Sequence, residues 1–221
     1  MFVELDEFIA YIEYGNFEKC KEIILQTHPL IDISSDNEYA FRTSCEYGHL
    51  DISKWLLEME PTICISVDNE YAFRTSCENG HVDLSKWLLE LNPGIDIRIL
   101  EDYAFRTSCE NGHLEMSKWL LKVNPSIDIH VRHSYAFRFS CENGHLEMSK
   151  WLLNISPTPI KVDIIKNTFR FCCEGDRLEI CTWLLEIMSP IENILMRGSI
   201  DEISFWSSCR SGNLEMSQWM L

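Results

Sequence analysis

The chain has 221 residues, of which 46% are hydrophobic and 24% are charged, a composition typical of a folded soluble protein and not of a disordered one. Asp and Glu outnumber Lys and Arg by 35 to 19, which gives a net charge of −16. A surface this acidic repels phosphate, so nucleic acid and anionic membranes are excluded as expected partners. The charge keeps the protein soluble, or alternatively it attracts a basic partner protein.

The first element is a short N-terminal capping unit, residues 1–33. Its opening residues carry acids where a secretory signal has a basic region, and no apolar run of the chain approaches the length of a membrane span. We therefore expect a cytoplasmic protein, which would lie in the host cytoplasm or nucleus if its source is a virus. Apolar Phe8, Ile9 and Ile12 precede Gly15, which predicts a helix, a tight turn and a second helix.

Five copies of one string follow at intervals of 32 residues. The string AFRTSCENGHLEMSKWLL occupies residues 104–121, near copies begin at Ala40, Ala72 and Ala136, and a divergent copy begins at Thr168. Self-similarity at this period is typical of repeat proteins. The copies divide the chain into residues 34–65, 66–97, 98–129, 130–161 and 162–197, called repeats 1 to 5 below, and a partial or capping C-terminal unit, residues 198–221.

Within one repeat the pattern predicts two short helices. Phe105 and Cys109 share one face of the first helix, and Gly112 ends that helix, as glycine does where a positive φ is required. The second helix has one polar stripe and is otherwise apolar, so it must be covered on two sides. Prolines then end it: Pro61, Pro93, Pro125 and Pro157.

These elements predict one all-α domain over residues 1–221, a helical solenoid of about seven stacked helix-turn-helix units. Between the units lie segments such as Ile95–Ile97 that have a β-leaning composition. We expect them to form short irregular or hairpin-like fingers, and we expect the protein to be a monomer.

The repeated string resembles the ankyrin repeat, in which the corresponding run is commonly Ala-x-x-Gly-His-Leu-Glu-Val-Val-Lys-Leu-Leu-Leu. The resemblance covers almost the whole chain, but Tyr103–Arg106 replaces the family's Thr-Pro-Leu-His and the repeat is one residue short. The near-identical repeats with Lys-Trp-Leu-Leu are most similar to ankyrin proteins of large DNA viruses of amoebae. The resemblance implies a non-enzymatic protein that binds another protein through its concave face and fingers.

A cysteine, a histidine and an arginine recur in the repeats, and each is expected to have a structural role. One cysteine per repeat, as at Cys109, fills a small buried position, although Cys172, Cys173 and Cys181 crowd repeat 5. The histidine after each turn glycine is expected to bond to backbone, since the glycine breaks the helix that metal spacing would need. Each arginine, as at Arg106, is expected to pair with the glutamate one turn later or with one in a neighbouring repeat. No cofactor or metal site is predicted.

The positions that differ between repeats are the candidates for partner binding. Residues that are needed to stack the repeats are the same in every repeat, whereas residues that bind a partner can differ between repeats. The finger segments change from acidic to neutral or basic along the chain, and a threonine of the first helix becomes Phe139 in repeat 4 and Phe171 in repeat 5. Aromatic and arginine side chains are typical interface anchors. The predicted partner-binding residues are Arg98, Leu100, His130, Arg132, His133, Phe139 and Phe171.

The leading interpretation is a non-enzymatic protein-interaction scaffold, directed at a host factor if its source is a virus. Two alternatives remain open at this stage. The chain is the substrate-binding part of an adaptor that recruits a host ubiquitin ligase, or it is a metal- or redox-responsive protein that uses its ten cysteines.

Overall fold

The computed structural model describes residues 2–27, 31–188 and 218, and the described part contains helices, turns and bends but no strand. The predicted C-terminal unit, residues 198–221, lies outside the described residues apart from Gln218. The chain divides into two compact bodies: the first comprises residues 1–108 and 115–125, and the second comprises residues 109–114 and 126–221. No helix among the described residues is long and apolar enough to cross a membrane.

The helices occur in consecutive pairs, one pair for the N-terminal unit and one for each repeat. Each pair joins a first helix of about three turns to a slightly shorter second one. In chain order they are α1 (Phe2–Glu13), α2 (Phe17–Thr27), α3 (Ser35–Glu46), α4 (Leu50–Met59), α5 (Val67–Glu78), α6 (Val82–Leu91), α7 (Ile99–Glu110), α8 (Leu114–Val123), α9 (Val131–Glu142), α10 (Leu146–Ile155), α11 (Val162–Glu174) and α12 (Leu178–Met188).

First helices pack side by side inside each body. In the first body α1 contacts α3 and α3 contacts α5, and in the second body α9 contacts α11. Five first helices, α1, α3, α5, α9 and α11, also pack on their own second helices. The serial arrangement confirms the all-helical, repeat-by-repeat packing predicted from the 32-residue period.

The core is built from the same positions of every repeat. Phe105 and Cys109 are fully buried, as are their counterparts Phe41, Phe73, Cys45 and Cys77. In the first body the ring centroid of Phe73 lies 6.4 Å from that of Trp119, one repeat further on. Aromatic pairs at this distance stabilise a core beyond the area that they bury. The phenylalanine and tryptophan columns therefore join consecutive repeats.

The finger segments take the irregular and not the hairpin-like form of the two that were expected. Ile95–Ile97 forms no strand, although its composition is β-leaning. Instead, the first helix of repeats 1 to 4 opens with three consecutive non-glycine residues in the left-handed region, at φ between 51° and 61°. Left-handed conformations cost about 1–2 kcal/mol per residue in non-glycine residues. These left-handed turns are Asp36–Glu38, Asp68–Glu70, Leu100–Asp102 and Arg132–Ser134.

The arginine of repeats 1 to 4 donates hydrogen bonds to this left-handed turn. Arg106 is 3% exposed, and it donates from Nε to the carbonyl oxygen of Glu101 at 2.8 Å and from Nη2 to that of Leu100 at 3.0 Å. Arg74 does the same to Asn69 and Asp68, at 2.6 and 3.0 Å. In repeats 2 and 3 the guanidinium therefore donates to turn carbonyls, whereas the sequence suggested glutamates as its partners.

The glutamates are instead bound by tyrosines of the following repeat. Tyr71 donates its hydroxyl to Glu46 Oε2 at 2.9 Å, and Tyr103 donates to Glu78 Oε2 at 3.0 Å. The same tyrosine covers the arginine of the preceding repeat, since the guanidinium carbon of Arg74 lies 4.9 Å from the ring centroid of Tyr103. This arrangement of arginine, tyrosine and glutamate, called the interlock below, joins neighbouring repeats.

The Gly-His pairs join neighbouring repeats at the C-terminal end of the first helices. His81 Nε2 lies 2.9 Å from the carbonyl oxygen of Glu46, and His49 Nε2 lies 3.1 Å from that of Glu13. The imidazole of His81 also rests on Gly48, where a Cβ would come within 2.4 Å of the ring. The predicted histidine–backbone bond is confirmed, and its acceptor belongs to the preceding repeat.

Folding stability is expected to fall as the pH falls from about 7.5 to about 5.5, and His81 is expected to account for part of the loss. Burial lowers the pKa of His81 below its usual 6.5, although the bond to Glu46 opposes the shift. Because the unfolded state then binds more protons, stability rises with pH in this window and is fully present above the unfolded pKa. Urea unfolding of wild type and His81→Asn at both pH values measures the difference. Equal pH slopes in the two proteins would contradict the assignment.

Candidate functional site

Repeat 5 lacks the left-handed turn of the four preceding repeats. None of residues 162–175 has a positive φ, and α11 runs as one helix from Val162. The cause lies in the sequence, because Ile164 and Ile165 occupy positions where the other repeats have no β-branched residue. A positive φ places a β-branched side chain against its own backbone, so the segment forms a right-handed helix instead.

Repeat 5 also lacks the tyrosine of the interlock. Asn167 stands where repeats 1 to 4 have a tyrosine, and Phe171 stands where repeats 1 to 3 have a threonine. Asn167 cannot cover Arg138 as Tyr103 covers Arg74, because its side chain has no ring. The join between repeats 4 and 5 therefore has an opening at a place where the earlier joins have a tyrosine.

A pocket of about 690 Å³ lies at this opening, wholly within the second body. Its size is within the range of pockets that bind ligands. Its apolar lining comes from Pro159, Ile160, Ile164 and Phe171. Its charged and titratable lining comes from His130, His133, Arg138, Lys161, Asp163 and Arg170, and Asn167 lines it as well.

The pocket contains more positive than negative charge. Arg138, Lys161 and Arg170 line it, and Asp163 is the one carboxylate among its lining residues. The N-terminus of α11, where the backbone dipole is positive, begins beside Lys161. In a chain with a net charge of −16 this pocket is a local basic site.

Arg170 occupies the position of the turn-binding arginines in a repeat that has no left-handed turn. It is equivalent to Arg106, but its buried Nε makes no hydrogen bond, a state that it shares with Arg42 Nε of repeat 1. Its recorded ion pair is with Glu174, at 3.7 Å, between side chains that are 41% and 39% exposed. An exposed pair at this distance contributes little, so a carboxylate in the pocket can compete with Glu174 for the guanidinium.

His130 and Arg138 belong to the wall of the pocket that repeat 4 contributes. His130 is bonded on both ring nitrogens, Nδ1 to Ser134 Oγ at 3.1 Å and Nε2 to Ser156 Oγ at 3.0 Å. Arg138 donates Nε to the carbonyl oxygen of His133 at 3.1 Å. Both side chains are therefore held in place before any ligand binds, which lowers the ordering cost of binding.

The structure brings three of the seven predicted partner-binding residues together at the pocket: His130, His133 and Phe171. Arg132 and Phe139 belong to the same body but are not among the lining residues. Phe139 is half-buried, with its ring centroid 4.2 Å from that of Tyr135. Arg98 and Leu100 belong to the first body, where Arg98 Nε donates to buried Asp102 at 2.9 Å.

The sequence interpretation missed Arg138, Lys161, Asn167 and Arg170. The two arginines were assigned to the repeated column, and a residue that recurs in every repeat gives no local sign that its partner is missing in one of them. The signal that could have found them is the combination of Ile164, Ile165 and Asn167 at positions where the other repeats agree.

The cysteines form a second cluster in repeat 5, inside the core. Cys172 and Cys181 replace a pair of bonded serines found in repeats 1 to 4, and Cys173 Sγ lies 3.5 Å from Cys181 Sγ. All three are buried. Burial raises the pKa of equivalent thiols, that of Cys45 to about 12, which disfavours the reactive thiolate. In the described part of the chain no group of three or more His, Cys, Asp or Glu side chains is placed to hold a metal ion.

No protein-family model matches the chain, and no curated protein is similar to it at the threshold of the comparison.

Proposed function

We propose that this protein is a non-enzymatic, ankyrin-like repeat protein that binds a partner protein at the pocket between repeats 4 and 5. The resemblance of its repeats to those of viral ankyrin proteins favours a host factor as the partner. The repeated residues serve to join the repeats, and several residues that depart from the repeat line this pocket, among them Ile164, Asn167 and Phe171. The proposal rests on one observation above the others, which is the loss of the interlock tyrosine at Asn167 beside Arg138.

Two features support partner binding at this place. Phe171 is 39% exposed, and the guanidinium carbon of Arg170 lies 4.9 Å from its ring centroid, so an aromatic and a cationic side chain are presented together. Aromatic and arginine side chains dominate the binding energy of protein interfaces. The pocket walls are also fixed by hydrogen bonds within repeat 4, as His130 and Arg138 show.

Replacing Asn167 by tyrosine is expected to fill the pocket and to lower partner binding at least about tenfold. The new ring should cover Arg138 as Tyr103 covers Arg74, and its hydroxyl should reach Glu142, the counterpart of Glu78. The variant restores the repeated pattern, so its thermal stability should equal or exceed that of wild type. Immobilised wild type and variant are compared by quantitative mass spectrometry of the proteins that each retains from host extract.

Lys86→Gln is the matched control, because Lys86 forms an exposed ion pair with Asp83 in the first body, at 3.6 Å. It should retain the same proteins as wild type. If Asn167→Tyr also retains every protein in wild-type amounts, the pocket is not the binding site and the proposal is wrong.

A further inference from the structure

We infer that the pocket between repeats 4 and 5 binds a carboxylate of a linear acidic segment of the partner, with an apolar neighbour of that carboxylate packed on Phe171. This inference rests on the proposed function and adds the chemistry of the bound segment. It follows from the charge of the pocket, from the state of Arg170 and from the apolar lining.

The charge of the pocket is opposite to that of the molecule. Three cationic side chains, Arg138, Lys161 and Arg170, line the pocket together with one carboxylate, that of Asp163, and Glu174 lies outside the lining, 3.7 Å from Arg170. Fields from distant surface charges are screened beyond about 8–10 Å in physiological salt, so a group inside the pocket responds mainly to these neighbours. A short acidic segment is attracted there. A long polyanion such as nucleic acid would meet the surrounding acidic surface and be repelled.

Arg170 supplies the binding group for a carboxylate. A guanidinium binds a planar carboxylate through two parallel N–H donors, a geometry that an ammonium group cannot reproduce. In repeats 2 and 3 these donors are committed to the left-handed turn, but in repeat 5 the Nε of Arg170 has no hydrogen bond and Glu174 lies at 3.7 Å. An incoming carboxylate at bonding distance therefore gains more than the displaced ion pair loses.

The apolar lining selects a peptide over a free anion. Phe171 is 39% exposed beside Arg170, and Pro159 and Ile164 also line the pocket. A free inorganic anion would leave this surface exposed to water, whereas a peptide covers it with the side chain that neighbours its carboxylate. A pocket of about 690 Å³ accommodates a few residues of such a segment.

The test uses the full chain and a displayed library of random twelve-residue peptides whose C-termini are joined to the display scaffold. Selected sequences are expected to be enriched in Asp or Glu next to an aromatic or aliphatic residue. Labelled synthetic copies of the selected peptides are then measured by fluorescence anisotropy, together with copies in which each acid is replaced by its amide. The amide replacement at the bound position should weaken binding about tenfold or more.

Three variants assign this binding to the pocket. Arg170→Gln, the double variant Lys161→Gln with Arg170→Gln, and Asn167→Tyr should each weaken binding of the acidic peptide, the second and third by at least about tenfold. Lys86→Gln should leave binding unchanged. A second library with free C-termini shows whether a terminal carboxylate binds at the pocket in place of an acidic side chain.

Peptides selected without acidic enrichment, amide copies that bind as well as the acids, or full binding by Asn167→Tyr would each overturn the inference. So would a library from which the protein selects no peptide above background. If Asn167→Tyr loses partner capture but the amide copies bind normally, the proposed function stands and the acidic ligand is excluded. Partner capture retained by Asn167→Tyr would remove the proposed function itself.

Discussion

Replacing Arg106 by alanine is expected to lower the free energy of unfolding by about 2–4 kcal/mol, the largest effect of an arginine substitution that we predict. The substitution removes two charge-assisted hydrogen bonds, to the carbonyl oxygens of Leu100 and Glu101. Such bonds contribute about 1.5–3 kcal/mol each. In the variant, water can bind the carbonyl groups of the exposed finger and recover part of that free energy. The left-handed turn, unfavourable on its own, would then lose the guanidinium that binds two of its carbonyl groups.

Arg170→Ala is the matched control, because Arg170 occupies the same position of a repeat that has no left-handed turn. Its exposed ion pair with Glu174 contributes about 1 kcal/mol at most. Chemical unfolding gives both free energies, and hydrogen exchange at the Asp102 amide, which is bonded to the Arg98 carbonyl, reports on the turn. Equal losses of unfolding free energy in the two variants, or unchanged exchange at Asp102 in Arg106→Ala, would show that the turn is stable without the arginine.

Replacing Gly48 by alanine is expected to lower the free energy of unfolding by about 2–4 kcal/mol. Gly48 has φ of +79°, and the added Cβ would lie 2.4 Å from His81 Nδ1. The unfavourable backbone conformation costs about 1 kcal/mol. Displacing the imidazole from the Glu46 carbonyl adds the loss of a half-buried hydrogen bond and of packing between repeats.

Gly144→Ala provides the comparison within the same chain. Gly144 also has a positive φ, +92°, but its neighbour is the flexible side chain of Arg177, with Cδ 3.3 Å from the added Cβ. Only the backbone cost of about 1 kcal/mol is expected there. The double variant Gly48→Ala with His81→Ala should lose less than the sum of its single variants, since the clash is then absent. Strict additivity, or equal losses at both glycines, would refute the role assigned to the imidazole.

Much of the helical framework could be read from the repeat. The apolar period places Phe105 and Cys109 in the core, and Pro61 and Pro93 follow helices that end at Met59 and Leu91. These features depend on neighbours in sequence, and the 32-residue copies repeat the same information in each unit. The predicted bond of each histidine to backbone also follows from the turn glycine beside it, as the contact of His81 with Glu46 shows.

The fingers and the pocket could not be read in the same way. Nothing local predicts three left-handed residues in a segment such as Leu100–Asp102, because the isolated backbone disfavours them. They persist because Arg106, five and six residues later, binds their carbonyls. Because that turn is not apparent from the sequence, its loss at the isoleucines of repeat 5 could not be predicted either.

The sequence by itself determined the period, the helix pairs and the buried face, since these depend on residues a few positions apart. Only the tertiary structure decided what each arginine binds, because that depends on the conformation of the finger and on a tyrosine one repeat away. Arg106 and Arg170 occupy the same place in the repeat, yet one holds a turn and the other lines a pocket. The physical difference is the set of hydrogen-bond acceptors that the folded chain places around each guanidinium.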